Sequence, residues 1–231
     1  MKTAILVDGA FYRRRAYGAL GDKTPKERAD ELITYCHRHL KLHGENKRSN
    51  ELYRIFYYDC EPLSKSVYHP LLKKSVNLAK SDQHDWALSF FEELKKKRKV
   101  ALRMGEISEI SVHYELKKNI LNKLFSGSLT ISDIKENDFQ FKAEQKGVDM
   151  RIGLDIASMA YKKQVDQIVL ISGDSDFVSA AKLARREGID FILDPLFANI
   201  KPNLFEHIDG LRSCDLAFKP KLALNNKELP D

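Results

Sequence analysis

The chain has 231 residues, of which 43% are hydrophobic and 31% charged, the balance of a soluble globular protein. Its 39 Lys and Arg against 33 Asp and Glu give a formal net charge of +6, a mildly positive field that favours a polyanionic partner without establishing one. No stretch nears the roughly 18 consecutive apolar residues of a membrane span. The opening MKTAILVDGAF is too short an apolar run to predict a signal peptide, and Cys36, Cys60 and Cys214 share no metal-binding spacing. Secreted, membrane-spanning, collagenous and disordered classes are thereby set aside, and a reducing cytoplasm is the expected setting.

Ala4, Ile5, Leu6 and Val7, closed by Asp8 and Gly9, predict a buried parallel strand that ends in a loop. Residues 26–42 carry Ala29, Leu32, Ile33, Cys36 and Leu40 at helical spacing, after Thr24 as cap and Pro25 in the first turn. His37 and His39 fall on different sides of this helix and are expected at the surface. Residues 52–59, aromatic and β-branched, predict a second strand. Residues 82–97 predict a helix capped by Ser81 or Asp82, with Trp86, Phe90 and Phe91 as core residues, and 99–104 a third strand. Between 105 and 145 the pattern thins: 114–125 reads as a basic amphipathic helix with a polar segment after it, and the whole as an insertion.

A helix over 148–161, a strand over 167–172, a loop over 173–177, a helix over 178–187 closed by Gly188 and a strand over 189–193 complete the pattern. Alternating strands and helices with short connections predict an α/β fold: a three-layer, Rossmann-like parallel sheet with helices on both faces. This domain is expected to span 1–218, with a C-terminal tail over 219–231.

Ligands of such sheets gather outside the carboxyl ends of the strands. Asp8 closes the first strand, and IVLISGDSD puts Asp174 and Asp176 just past a later one. KGVDMRIGLD adds Asp149 and Asp155, six residues and about 120° apart on a helix. Asp155 borders the buried face between Ile152 and Met159, where a carboxylate needs a neutralising partner. Carboxylates gathered at one edge repel and raise each other's pKa. A hard divalent cation, Mg²⁺ or Mn²⁺, relieves that repulsion and can activate water against a phosphodiester. Taken singly, Asp149, Asp174 and Asp176 equally fit helix capping without any metal, and spacing alone leaves both readings open.

In ILVDGAF, KGVDMRIGLDIASMA and VDQIVLISGDSDFVSAAKLARREGI, taken in that order, the chain resembles the NYN domain family, a branch of the PIN-like nuclease superfamily, and within it the bacterial LabA-like group. The resemblance implies a PIN-like fold and a metal-dependent ribonuclease, a hydrolase using acidic residues around magnesium or manganese. It implies catalytic roles for Asp8, Asp149, Asp155, Asp174 and Asp176. Asp8, Asp155, Asp174 and Asp176 would hold the metal, with Asp149 either a ligand or the residue that orients the nucleophilic water. Ser172 and Ser175 would hydrogen-bond a phosphate or a carboxylate. Lys146 would face the scissile phosphate, unless it is an ordinary exposed loop lysine. The chain departs from the pattern at Phe11, where many relatives carry Asn.

Arg13, Arg14 and Arg15 follow Asp8 closely and are candidates to hold a nucleic-acid backbone, with Tyr12 and Tyr17 to stack on bases. The basic run over 95–99 ends a helix, where cations also suit the dipole. The expected partner is RNA, with single-stranded DNA as the alternative polymer and no membrane; a homodimer is left open. A haloacid-dehalogenase-like phosphatase is set aside, because Ala10 stands where that family needs a second Asp. An RNA-binding scaffold that keeps its acids without turnover remains the rival.

Overall fold

The computed structural model describes residues 1–41, 50–108 and 111–220; the expected tail lies outside the described residues from 221 onward. In chain order the elements are β1 (Lys2–Asp8), α1 (Gly9–Leu20), α2 (Pro25–Arg38), β2 (Glu51–Cys60), β3 (Ser66–His69), β4 (Lys74–Asn77), α3 (Asp82–Lys95) and β5 (Val100–Ile107). There follow β6 (His113–Leu116), α4 (Lys118–Phe125), β7 (Phe139–Lys142), β8 (Gln145–Lys146), α5 (Val148–Tyr161) and β9 (Gln167–Ile171). The chain continues through α6 (Val178–Arg186), β10 (Asp190–Asp194), α7 (Pro202–Phe205) and β11 (Gly210–Leu211).

Seven strands form one sheet in the order β11-β10-β9-β1-β2-β5-β8. Every pairing is parallel except that of β5 with β8. The fold is therefore the expected α/β sheet with helices on both faces. Alternation along each strand sends successive side chains to opposite layers. Ile5, Val7, Tyr57 and Ile171 pack with Leu32 of α2 and Phe90 of α3, while Leu6, Tyr58, Leu170 and Phe191 pack with Ile152 and Ile156 of α5 and Ala181 of α6. Two-sided burial explains why β1 and β9 read as continuous apolar runs. Each fully buried Leu, Ile or Phe contributes about 1.5–3 kcal/mol.

Local signals account for the helices. Thr24 and Glu27 close a capping box at the start of α2, and Ser81 caps α3 by accepting the His84 N–H. Gly188, just past α6, has φ +83°, a conformation glycine adopts without strain.

Three expectations are corrected. Asp8 and Gly9 do not open a loop: Asp8 caps α1, which starts at once because the carboxylate accepts the Phe11 N–H at 3.1 Å. The helix expected over 114–125 begins only at Lys118, because β6 pairs instead with β7, setting Tyr114 opposite Phe141 with ring centroids 5.6 Å apart. His39 is fully buried rather than at the surface: its Nε2 lies 2.8 Å from the Asp194 carboxylate and its Nδ1 3.4 Å from the Cys214 sulfur. The β3–β4 hairpin has no counterpart in the sequence reading.

Candidate active site

Register brings four strands to a common level at the carboxyl edge. Asp8 pairs with Tyr58, so Asp59 lies one residue beyond it. Ile171 pairs with both Val7 and Asp194, so Ser172 is level with Asp8. Asp194, Ser172, Asp8 and Asp59 thus lie at, or within one residue of, the ends of adjacent strands.

Asp8 stands at the centre of this edge. One carboxylate oxygen accepts the Phe11 N–H and the other the buried Ser172 hydroxyl, at 3.2 Å. Burial raises the Asp8 carboxyl above its ordinary value, and the charges of Asp149 and Asp59 add to the rise, against the two hydrogen bonds. The Phe11 ring lies against Gly173, where a Cβ would come within 2.7 Å of it. Phe11 therefore packs an aromatic ring under the loop that follows β9.

That loop is pinned at the same point. Ser172 accepts the Asp174 N–H at 3.2 Å, and Asp174 in turn accepts the Asp176 N–H at 3.0 Å, capping a single 3₁₀ turn over Ser175–Phe177. Asp174 and Asp176 are exposed, and Ser175 is half-buried in the turn. Across from them, Gly147 at φ +77° turns the chain from β8 into α5 and sets Asp149 in the first helical turn. The exposed Asp149 carboxyl is pushed up by partial burial and by the charges of Asp174 and Asp176. Asp149 and Asp176 share a groove of 410 Å³ with Phe177 and Met150, between α5 and α6. The structure thus brings Asp8, Asp149, Asp174 and Asp176 together.

Asp155 is held elsewhere. It accepts the Tyr58 hydroxyl at 2.8 Å and the Arg103 Nε at 2.9 Å, on the face toward β2 and β5. Six residues of helix rise carry it about 9 Å from Asp149 along α5. Arg103 and Tyr58 supply the neutralisation that its position beside Ile152 requires.

The basic residues divide similarly. Arg13 is engaged by Asp59 at 2.9 Å, Arg15 donates to the backbone oxygens of Leu196 and Phe218, and Arg14 is exposed. Lys146 is exposed on β8. Tyr12 is buried with its hydroxyl on Glu31, which removes it as a stacking surface, whereas Tyr17 is 62% exposed. Phe90 and Phe91 are core residues as expected; Trp86 is half-buried and stacked on Phe90. In the basic run, Lys95 and Lys96 pair with Glu92 and Glu93, and Lys97 with Asp30.

Asp59 went unread in the sequence, although its run FYYD repeats the ILVD signal of β1. Its carboxylate is buried among Arg13, the Tyr57 hydroxyl, the Cys60 N–H and Gln145. Burial raises its pKa, while Arg13 and these hydrogen bonds oppose the rise.

The donors at this edge are all oxygen, the chemistry of a hard divalent cation. Among the described residues, no three His, Cys, Asp or Glu side chains stand close enough to hold a metal ion between them. Magnesium is suited to such an arrangement, since it usually binds through one or two carboxylates, water and substrate phosphates.

Fold and edge together define a Rossmann-like α/β protein with an acidic site at the strand ends. The NYN domain family matches residues 76–200, more than half of the chain, and the chain belongs to this nuclease-like family. The matched stretch contains Asp149, Asp155, Asp174 and Asp176 and leaves Asp8 and Asp59 outside it. A solved structure of a protein of unknown function from Vibrio parahaemolyticus RIMD 2210633 is similar at 13% identity and a TM-score of 0.47, over 94% of each chain. No curated protein matches the chain. Among the described residues no helix is long and apolar enough to cross a membrane.

Proposed function

We propose that this chain is a Mg²⁺- or Mn²⁺-dependent nuclease that hydrolyses phosphodiester bonds in RNA and works in the cytoplasm. The observation that carries the reading is the meeting of Asp8, Asp149, Asp174 and Asp176 at one sheet edge, near enough that the charge of Asp149 acts on Asp8 and those of Asp174 and Asp176 act on Asp149. Membership of the NYN family supports it, and S-G-D-S-D-F after K-G-x-D favours the LabA-like group within that family.

One or two of Asp8, Asp174 and Asp176 would hold the cation together with water and a substrate phosphate, with Asp149 beside them; Asp155 is engaged by Arg103 and Tyr58 instead. When bound, the cation supplies positive charge for the leaving oxygen and lowers the pKa of water. The rest is the work of the chain itself. Ser172 and the Phe11 N–H fix the Asp8 carboxylate in orientation. Asp149, its pKa raised, is suited to accept the proton of the attacking water. Arg14 and Lys146, both exposed, supply charge for the substrate backbone, while Ser175 is available to a phosphate oxygen.

The test is incubation of the purified protein with labelled single-stranded RNA and DNA, in Mn²⁺, Mg²⁺ or EDTA, beside the Asp174→Asn protein. Cleavage of RNA that needs both the metal and Asp174 is the expected result. Cleavage unchanged in Asp174→Asn would trace to a contaminant and end this reading. One rival is an RNA-binding protein that keeps its acids without turnover. That rival predicts no cleavage by either protein while RNA still shifts in a gel.

A further inference from the structure

A cleft of 770 Å³ lies beside the acid edge, outside the cation site proposed above. Arg13, Tyr17, Trp86, Tyr114, Phe141 and Gln145 are among its lining residues. Two of these tie it to the site: Arg13 and Gln145 both hydrogen-bond the buried Asp59 carboxylate, whose charge acts on Asp8. Tyr17 of α1 and Trp86 of α3 line it together with Val76, Tyr114 and Phe141 of the strand pairs β3–β4 and β6–β7, which stand apart from the main sheet. These pairs pack on each other through His69, whose ring centroid lies 4.4 Å from Tyr114 and 4.9 Å from Phe139. The lining is mainly apolar and aromatic, and its size falls within the range of ligand pockets. Tyr17 is 62% and Phe141 40% exposed, although both are large rings that burial would favour.

We infer that this cleft receives unpaired bases of the nucleic-acid strand whose scissile phosphate lies at Asp8, so that the substrate is single-stranded on that side of the cut. The inference rests on the nuclease reading for the position of the phosphate. Flat aromatic faces bind bases by stacking, and base faces are free only where a strand is unpaired. A duplex keeps those faces covered and offers its phosphates instead. Charge argues the same way. Asp22, Glu61 and Asp82 line the cleft beside Arg13, Lys23 and Arg28, and Lys23 and Arg28 are already paired with Glu31. The cleft interior is thus a place for bases rather than for a backbone.

Trp86 is the sole tryptophan of the chain, so its fluorescence reports occupancy of the cleft. The full-length Asp174→Asn protein would be titrated in EDTA with a single-stranded RNA decamer, with the same decamer paired to its complement, and with AMP. The expected result is quenching by the single strand and none by the duplex. Tyr17→Ala, at an exposed position, should weaken the single-strand response roughly tenfold and Tyr17→Phe should restore it. Equal quenching by the duplex would overturn the inference. So would an unchanged signal from a protein whose wild type cleaves the decamer in Mn²⁺, and that outcome leaves the nuclease reading standing. Quenching by AMP as strong as by the decamer would overturn it in favour of a mononucleotide pocket. Quenching by the single strand alone, in a protein whose wild type cleaves nothing, would uphold the cleft and end the nuclease reading.

Discussion

Ser172 donates its hydroxyl to Asp8 from 164 residues away, and the same oxygen accepts the Asp174 N–H, each at 3.2 Å. A buried serine thereby couples the acid that ends β1 to the loop that carries the two acids after β9. Ser172→Ala removes both bonds at once. A loss of about 1–3 kcal/mol is expected in urea unfolding. Cleavage should fall roughly 10- to 100-fold through misplacement of the acids. Because the Ser172 bond lowers the Asp8 pKa, its loss should also move the acid limb of the pH–rate profile upward.

Asp8 itself is held at a cost to the fold. Burial raises its folded-state pKa above the ordinary 3.8, so the folded protein holds that proton more tightly than the unfolded chain. The stability this contributes is complete below 3.8 and is lost as pH rises through the higher folded value. Asp8→Asn is therefore expected to raise Tm at pH 7, with the difference shrinking as the pH drops toward 3.8. Added Mn²⁺ should reverse the order by stabilising the wild type alone. Thermal scans across pH, with and without the ion, check both parts.

Asp155 separates architecture from chemistry. Its partners Arg103 and Tyr58 make it a brace between α5 and the strands β2 and β5. Asp155→Asn should cost about 1–2 kcal/mol, the ion pair being partly exposed and so worth little by itself. It should leave the cleavage rate within about twofold of wild type, whereas Asp174→Asn should abolish cleavage. Parallel rate and unfolding measurements on the two variants decide it.

Gly9 leaves the space that the Asp59 carboxylate and the Tyr57 ring occupy. A Cβ there would come within 2.5 Å of the Asp59 carboxylate and 2.6 Å of the Tyr57 ring, both buried and hydrogen-bonded. Gly9→Ala is expected to destabilise by about 1–3 kcal/mol, as overpacking does. The damage should reach the Arg13–Asp59 pair. Chemical denaturation measures the first effect, and a Trp86 emission shift reports the second from the neighbouring cleft.

Much of this edge is legible in the sequence. Apolar runs closed by acids gave away the ends of β1 and β9, and the runs ending at Asp59 and Asp194 carry the same pattern. Other features rest on partners too distant in sequence to reveal themselves. Asp155 meets Tyr58 and Arg103 from 97 and 52 residues away. His39 is buried by Asp194 and Cys214, which arrive 155 and 175 residues later. The four-residue strands β6 and β7 have little periodicity of their own and become strands through each other.

The order of the strands also bears on what can be cut from this protein. The family match over 76–200 includes β5, β8, β9 and β10 but neither β1 nor β2. In the sheet those two strands lie side by side between β9 and β5. The recognisable interval is therefore not a unit that can fold by itself. Expressed alone, it would hold two pieces of sheet with a gap of two strands between them. Each piece would present a raw, apolar edge to the next molecule.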